Sequence, residues 1–342
     1  MPFRDLLGHR AQQTLLNRAI ARGALPQSLI FTGPDGVGKR LMAVAVAQRL
    51  NCLTVPEDAP DADACGTCSA CRRIALGTHP DVKTIRGEST PGESKIDEMR
   101  ERIGDAAFRP FEGRRRVFII DDAHLLMAQV QNALLKTLEE PSRSSQFILV
   151  TSRPDGLLPT VRSRCPQLRF GRLDVEDVTA LLVERQGVSP IAAREVAFAA
   201  DGSPGRAIAD ASPMGESLRA LAERVIAVAA SSPIERLRAG AALAEAEKKG
   251  KRAPGAKAVS DRDMLRERLD ALGVVVRDLG IEAAGGDRRW QSRPPAPPLA
   301  DLARRLGPER LAKAYAAVSE ARQALDRNVS FKTVADWVAL EI

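Results

Sequence analysis

A glycine-rich segment at residues 33–40, with the sequence GPDGVGKR, most constrains the fold of this 342-residue chain. It follows an apolar run, SLIFT at residues 28–32, and precedes a segment of helical character at residues 40–49. Glycines allow the tight turn that points successive N–H groups at a phosphate, and Lys39 and the positive end of the next helix attract the same anion. Strand, loop and helix in this order predict a phosphate-binding loop of an α/β protein rather than an ordinary glycine turn.

The residue after Lys39 departs from the usual pattern of such loops. Ser or Thr normally stands there, because its hydroxyl binds the magnesium ion of a nucleotide. This chain has Arg40, which can contact phosphate but cannot bind a cation. ATP with magnesium is the ligand that such a loop would take. Arg40 argues against the magnesium ion, whereas nucleotide binding without turnover stays open because Lys39 and the loop amides are intact.

The apolar run at residues 117–120 predicts a strand buried on both faces, and it ends in two aspartates. These acids would stand at the carboxyl end of a parallel strand, where such sheets bind ligands. ATPases of this type usually have glutamate at the second position, where this chain has the shorter Asp122. A carboxylate displaced by about 1 Å can cost about a hundredfold in rate. We therefore predict little or no ATP hydrolysis by this chain alone. The predicted nucleotide site comprises Gly33, Pro34, Asp35, Gly36, Val37, Gly38, Lys39, Arg40, Asp121 and Asp122.

Four of the five cysteines form a cluster in the sequence: Cys52, Cys65, Cys68 and Cys71. Two overlapping C-x-x-C steps with one cysteine upstream predict a tetrahedral, structural zinc site. An iron–sulfur cluster or unliganded thiols are the alternatives, and the first is disfavoured because no cysteine follows closely after the cluster. The chain has no apolar signal core and no run of about 18 apolar residues, so we expect a cytoplasmic protein, in which disulfides are rare.

Strand and helix signals alternate through the first half, which predicts a parallel sheet with helices on both faces. The predicted strands are residues 28–32, 81–85, 117–120, 146–151 and 167–170, and the predicted helices are residues 12–21, 40–49 and 129–138, with a further helical face at Ile96, Met99 and Ile103. After Gly171 only helical signals remain. We predict an α/β domain at 1–172 with the cysteine insert at 52–71, a small helical lid at 173–212 and an all-helical domain at 213–342.

Charge and composition add two expectations. The net charge of +7 permits contact with nucleic acid but does not establish it, because many charges are solvated helix faces. The triplet Arg114 to Arg116 would either reach DNA phosphates or form a solvated loop before a buried strand. Two segments, at 248–257 and 285–298, are rich in glycine, proline and basic residues and are predicted to be mobile loops.

Two further motifs carry a family resemblance. Residues 132–141 have the sequence NALLKTLEEP, and residues 157–165 have the sequence LLPTVRSRC. With the phosphate loop and the four cysteines, they resemble the bacterial clamp-loader subunits of the AAA+ class over about residues 1–210. The resemblance implies a P-loop AAA+ domain with a zinc-binding insert, a lid and an oligomerising collar. It also implies partners, namely motor subunits of the gamma/tau type, a delta subunit and, through the complex, a sliding clamp and primer–template DNA.

The resemblance is to the stator rather than to the motor of such a complex, because Arg40 and Asp122 differ from the motor's pattern. It implies that Arg164 is an arginine finger acting in trans on a neighbour's ATP, an effect worth ~10³–10⁵ in rate. Thr151 matches a polar sensor beside the γ-phosphate, and Arg206 matches a lid arginine with a similar role. Each residue also has a purely structural explanation: threonine is common in strands, and the arginine could cap a helix.

Three functions are therefore compared. The first is a binding and scaffolding subunit, the stator. The second is an active AAA+ ATPase motor, against which Arg40 and Asp122 argue. The third is a zinc-dependent DNA-binding module with a degenerate phosphate loop, against which the motifs at 132–141 and 157–165 argue. An ATPase assay of the chain, alone and with its partners, would separate the first two.

Overall fold

The computed structural model describes residues 1–59, 62–87, 108–139, 142, 144–245, 261–287, 290–327 and 329–342. These residues form two compact units, the first of residues 1–181 and 202–205 and the second of residues 182–201 and 206–342. Some predicted features lie outside the described residues, namely Ile96, Met99 and Ile103, Glu140, Pro141, the segment 248–257 and part of the segment 285–298. The three-part division at 172 and 212 stays a prediction.

The first unit is built on a five-stranded parallel sheet with the neighbour order β2-β3-β4-β1-β5. Its strands are β1 (Ser28–Thr32), β2 (Val82–Arg86), β3 (Arg116–Asp121), β4 (Ser145–Thr151) and β5 (Gln167–Arg169). Every strand predicted from an apolar run is present, with ends within about one residue of the prediction. The four central residues of β3 are all buried, as expected for a strand covered on both faces.

Helices cover both faces of this sheet, as predicted. Those of the first unit are α1 (Arg10–Ala21), α2 (Lys39–Asn51), α3 (Ser69–Ala75), α4 (Ala128–Glu139) and α5 (Pro159–Arg162). Phe31 and Ile119 pack with Met42 of α2 in one hydrophobic cluster, whereas Phe118 packs with Leu134 of α4 in another. Neighbouring strand residues point to opposite faces, so the two clusters lie on opposite sides of the sheet.

The second unit is helical, and no strand follows Arg169 in the described part of the chain. Two helices, α6 (Val175–Gln186) and α8 (Pro204–Asp210), have residues in both units. The others are α7 (Pro190–Ala199), α9 (Pro213–Ala227), α10 (Pro233–Ala244), α11 (Asp261–Ala283), α12 (Pro297–Asp326) and α13 (Phe331–Glu341). Their core is aliphatic and includes Leu269, Leu272, Val276 and Val318. Among the described helices, none combines the length and the apolar content that a membrane crossing requires.

Proline and serine explain where several of these helices begin. α9 and α10 each start with proline, whose fixed φ suits the first helical position and whose missing N–H costs nothing there. The preceding Ser212 and Ser232 accept a hydrogen bond from a backbone N–H of the first turn, which satisfies a group that would otherwise lack a partner. Inside α12, Gly307 adopts φ 75° before Pro308 and kinks the helix.

Candidate functional site

The predicted phosphate loop joins β1 to α2. Gly33, Gly36 and Gly38 have φ angles of 148°, 74° and 102°, a region of backbone conformation that favours glycine. A Cβ atom at Gly33 would lie 2.2 Å from the carbonyl oxygen of Phe170. All three glycines therefore suit the backbone angles of the loop, and Gly33 also allows the close approach of the chain after β5.

Lys39 begins α2, and its side chain is 6% exposed. The ammonium group donates hydrogen bonds to the carbonyl oxygens of Gly33 at 2.6 Å and Pro34 at 2.5 Å. Burial lowers the pKa of Lys39, while the nearby Asp35, Asp121 and Asp122 oppose that shift. The lysine thus brings its charge inside the glycine loop.

Arg40 stands next to the carboxylate that the sequence assigns to magnesium. Its side chain is 62% exposed, and its Nε lies 3.7 Å from Oδ2 of Asp121, the last residue of β3. Burial raises the pKa of Asp121, the neighbouring Asp122 raises it further, and Arg40 opposes both effects. The arginine therefore supplies positive charge at a carboxylate that would otherwise be costly to keep ionised.

The second aspartate has an arginine partner of its own, Arg86, which sequence reasoning missed. Arg86 ends β2 and lies opposite Asp121 in the register of β2 and β3. Its Nε is 3.2 Å from Oδ2 of Asp122, whose backbone is left-handed at φ 49°. The sequence places a basic residue, Arg86, at the carboxyl end of a strand. Its pairing with Asp122 could be predicted only from the order of the strands in the sheet.

These residues do not fit a magnesium ion. No hydroxyl follows Lys39, and each of the two carboxylates is paired with an arginine. Magnesium requires near-octahedral oxygen ligands, and a guanidinium has no lone pair to offer. A magnesium ion would first have to displace Arg40 from Asp121.

Thr151 and Arg206 are the other predicted nucleotide contacts. Thr151 ends β4, and its hydroxyl is 3.1 Å from Nδ1 of His124. Ser203 donates to the carbonyl oxygen of Asp35 at 2.9 Å, so the 202–205 turn rests on the loop. Arg206 belongs to the second unit. The sensor roles of Thr151 and Arg206 stay predictions.

The four clustered cysteines are brought together as predicted, and their sulfur atoms all lie within 4.8 Å of one another. The sulfurs of Cys65 and Cys71 are 4.0 Å apart, close to the ~3.8 Å of a tetrahedral zinc site with 2.3 Å zinc–sulfur bonds. Backbone N–H groups point at the sulfurs, for example that of Cys68 at 3.2 Å from the sulfur of Cys65. The donor set therefore fits a metal ion.

Hydrogen bonds favour the thiolate at Cys65. Burial raises the pKa of this thiol, but hydrogen bonds from the Thr54 hydroxyl and the backbone N–H groups of Cys68 and Thr67 outweigh burial and lower the pKa to about 5. The thiolate is the form that binds metal.

Arg49 holds the cysteine insert against the sheet domain, a role that sequence reasoning missed. Its buried guanidinium donates to the carbonyl oxygens of Pro56, Glu57, Ala59 and Ala62 and to the amide oxygen of Asn17. Helical periodicity places Arg49 on α2 but does not show that its partners are main-chain carbonyls of a loop. Burial lowers the pKa of Arg49, and the nearby Cys52 opposes that shift.

The basic triplet is engaged within the first unit. Arg114 donates to the carbonyl oxygen of Val55 at 2.9 Å, and Arg115 pairs with Glu57 at 2.8 Å. Arg116 lies 3.5 Å from Asp81. These contacts give the triplet a structural role, and its predicted contact with DNA stays a prediction.

Arg164 follows α5 and is 37% exposed. Its guanidinium is 2.5 Å from Oε1 of Glu139, the last residue of α4, and donates to the carbonyl oxygen of Thr160 at 3.0 Å. The next residue, Cys165, is buried in the hydrophobic cluster beneath. Burial raises the pKa of that thiol to about 11, so it remains protonated and apolar. The buried cysteine anchors the exposed arginine at the surface.

Gln131, also missed by sequence reasoning, fixes the turn that leads to this arginine. Its buried side-chain amide donates to the carbonyl oxygens of Leu126 and Gly156 and accepts from the backbone N–H of Leu158 at 2.8 Å. Gln131 thereby ties α4 to the segment that enters α5. Glu139 ends α4 and contacts Arg164.

The parallel sheet, the glycine loop after β1 and the acids after β3 form a P-loop fold of the AAA+ type, and the C-terminal region is helical. Residues 8–174 match the family described as DNA polymerase III, delta subunit. The match covers the five strands and the glycine loop of the first unit.

Curated relatives of more than one type are similar to the chain. DNA polymerase III subunit tau of Salmonella typhimurium is 35% identical over 206 residues, which are 59% of this chain and 31% of that protein. Subunit delta' of Pseudomonas aeruginosa is 35% identical over 156 residues, 46% of each chain. The chain thus spans less than half the length of these two relatives. Among solved structures, a gamma subunit-related protein of Thermotoga maritima is similar over 95% of this chain and 98% of its own, with 16% identity and a TM-score of 0.44.

Proposed function

We propose that this chain is a delta-prime subunit, the stator of a DNA polymerase III clamp loader. In this role it helps the ATP-dependent loading of a sliding clamp onto primed DNA without efficient hydrolysis of its own. The observation that carries the proposal is the pairing of Arg40 with Asp121. A motor needs that carboxylate for magnesium, and here it faces a guanidinium.

Arg164 is the residue that we propose to act on a neighbouring gamma/tau motor subunit. The motif Ser163-Arg164-Cys165 is complete, and the guanidinium is partly exposed. A finger supplied in trans stabilises the charge that develops on the transferred phosphoryl group. The chain would thus contribute to catalysis on a site that it does not itself contain.

We also propose that Cys52, Cys65, Cys68 and Cys71 hold one structural zinc ion. Four cysteine ligands leave no open position for catalysis, so the ion would stabilise the insert. Arg49 supports this role, since it binds four carbonyls of the same insert. Thr151 and Arg206 are proposed sensors, and residues 173–212 and 213–342 a lid and a collar through which the ring assembles.

A motor subunit is the second candidate, because the tau relative matches a longer part of the chain than the delta' relative does, 206 against 156 residues. The two candidates predict different behaviour in a mixture. A stator is needed once, to complete a ring that already contains motors. A motor can replace another motor but cannot replace the stator.

Reconstitution with gamma/tau and delta subunits of the same organism tests this difference. We expect the chain to co-purify with them as one complex, and omission of the chain to abolish clamp loading on primed DNA, because the last subunit interface would lack its partner. A mixture that lacks the delta subunit but contains this chain is the matched control, because it also lacks one member of the ring. Full loading without the chain, or loading when the chain replaces all gamma/tau subunits, would contradict the proposal.

A further inference from the structure

Cationic side chains offset both carboxylates at the phosphate loop without a metal ion. Leaving aside the exposed Asp35, the site contains Lys39, Arg40 and Arg86 on one side and Asp121 and Asp122 on the other. The three cations exceed the two carboxylates by one charge. A site with one lysine, two carboxylates and one magnesium ion would have the same net charge of +1. The two arginines therefore supply the positive charge that magnesium would supply.

Arg40 keeps N–H groups that can donate hydrogen bonds to a ligand while it is paired with Asp121. A guanidinium has five N–H donors, and the described contact with Asp121 is made by Nε. The side chain is 62% exposed on the first turn of α2, immediately after Lys39. Arginine binds phosphate oxygens in a planar, two-pronged arrangement, which lysine and hydroxyl groups cannot reproduce.

The second pair makes the site unsuited to hydrolysis. Nε of Arg86 lies 3.2 Å from Oδ2 of Asp122. Asp122 follows β3 directly, and its left-handed backbone turns the chain at this point. A carboxylate that is neutralised in this way is a poor base for orienting an attacking water. Binding and turnover are therefore separable at this loop.

We propose that this loop binds the phosphate chain of a nucleoside di- or triphosphate without a divalent cation, with Arg40 contacting phosphate while it remains paired with Asp121. The loop amides and Lys39 hold the remaining phosphate oxygens. Magnesium brings no gain, because it would have to displace Arg40 from its carboxylate. The inference goes beyond the proposed role of the chain in a clamp loader and does not depend on Arg164.

Calorimetric titration of the purified full chain with ADP and with ATP tests this inference, once with EDTA and once with excess magnesium chloride. We expect binding in EDTA at least as tight as in magnesium. Lys39→Ala should remove binding in both conditions. Arg40→Thr should weaken binding in EDTA by about tenfold, the value of one charge-assisted hydrogen bond, and should make binding improve when magnesium is added.

Arg22→Thr, which replaces an exposed arginine after α1, is the matched control and should bind as the unmodified chain does. Circular dichroism melting of each variant shows whether it is folded, and Arg40→Thr should be, since Arg40 lies on an exposed helix surface. Binding of the unmodified chain that requires magnesium would overturn the inference. So would the absence of binding by either nucleotide at millimolar concentration.

Discussion

Replacing Arg164 with alanine is expected to slow ATP hydrolysis by the assembled complex when clamp and primed DNA are present. An arginine finger is worth ~10³–10⁵ in rate at the site that it completes. The overall rate should fall only in part, because neighbouring subunits would supply their own fingers to the remaining sites. The side chain is partly exposed, so the variant should fold and assemble normally.

Arg162 offers a matched control in the same segment. It ends α5, two residues before Arg164, and pairs with Asp155 at 2.9 Å. Arg162→Ala removes an arginine of similar exposure and should leave the ATPase rate of the complex unchanged. Arg164→Lys should not restore the rate, because lysine lacks the planar pair of donors that suits a phosphoryl group. Equal rates in complexes carrying Arg164 and Arg164→Ala would remove the proposed catalytic role.

Replacing Cys65 and Cys68 together with serine is expected to reduce the zinc content from about one ion per chain to none. Two of four ligands would be lost, and structural zinc sites in small domains contribute about 10–16 kcal/mol to folding. The sheet domain should survive, because its two apolar clusters do not include the four clustered cysteines. Elemental analysis measures the metal, and hydrogen exchange of residues 52–71 measures the loosening of the insert.

The fifth cysteine provides the comparison for this experiment. Cys165→Ala removes a buried thiol from the core beneath Arg164 but leaves all four clustered cysteines. This variant should lose some stability and keep its zinc. Full zinc occupancy in the double serine variant would exclude the proposed site, and iron in place of zinc would favour the iron–sulfur alternative.

The parts of the molecule that depend on local pattern were predictable from the sequence. β1 is an uninterrupted apolar run before a glycine loop, and β3 is an apolar run that ends in two acids. In such cases burial and backbone angles are both set by neighbouring residues. The cysteine cluster was predictable for the same reason, since its ligands lie within 20 consecutive residues.

The pairs that define the chemistry of the site were not predictable in this way. Arg86 and Asp122 are 36 residues apart and meet because β2 neighbours β3 in the sheet. Arg164 and Glu139 meet because α4 and α5 converge on one side of it. Arg40 was predicted to contact phosphate, but its carboxylate partner depends on the position of β3. Such contacts follow from strand order and helix placement, which residue spacing alone does not encode.

The steady-state ATP turnover of the purified chain, measured beside that of the clamp-loader complex that we propose it completes, tests the central claim most directly. If Arg40 and Arg86 neutralise the two acids of the loop, the chain alone should hydrolyse ATP at the background rate, and its addition to motor and delta subunits should raise the turnover of the mixture. Turnover by the chain alone as fast as that of a motor subunit would contradict the account.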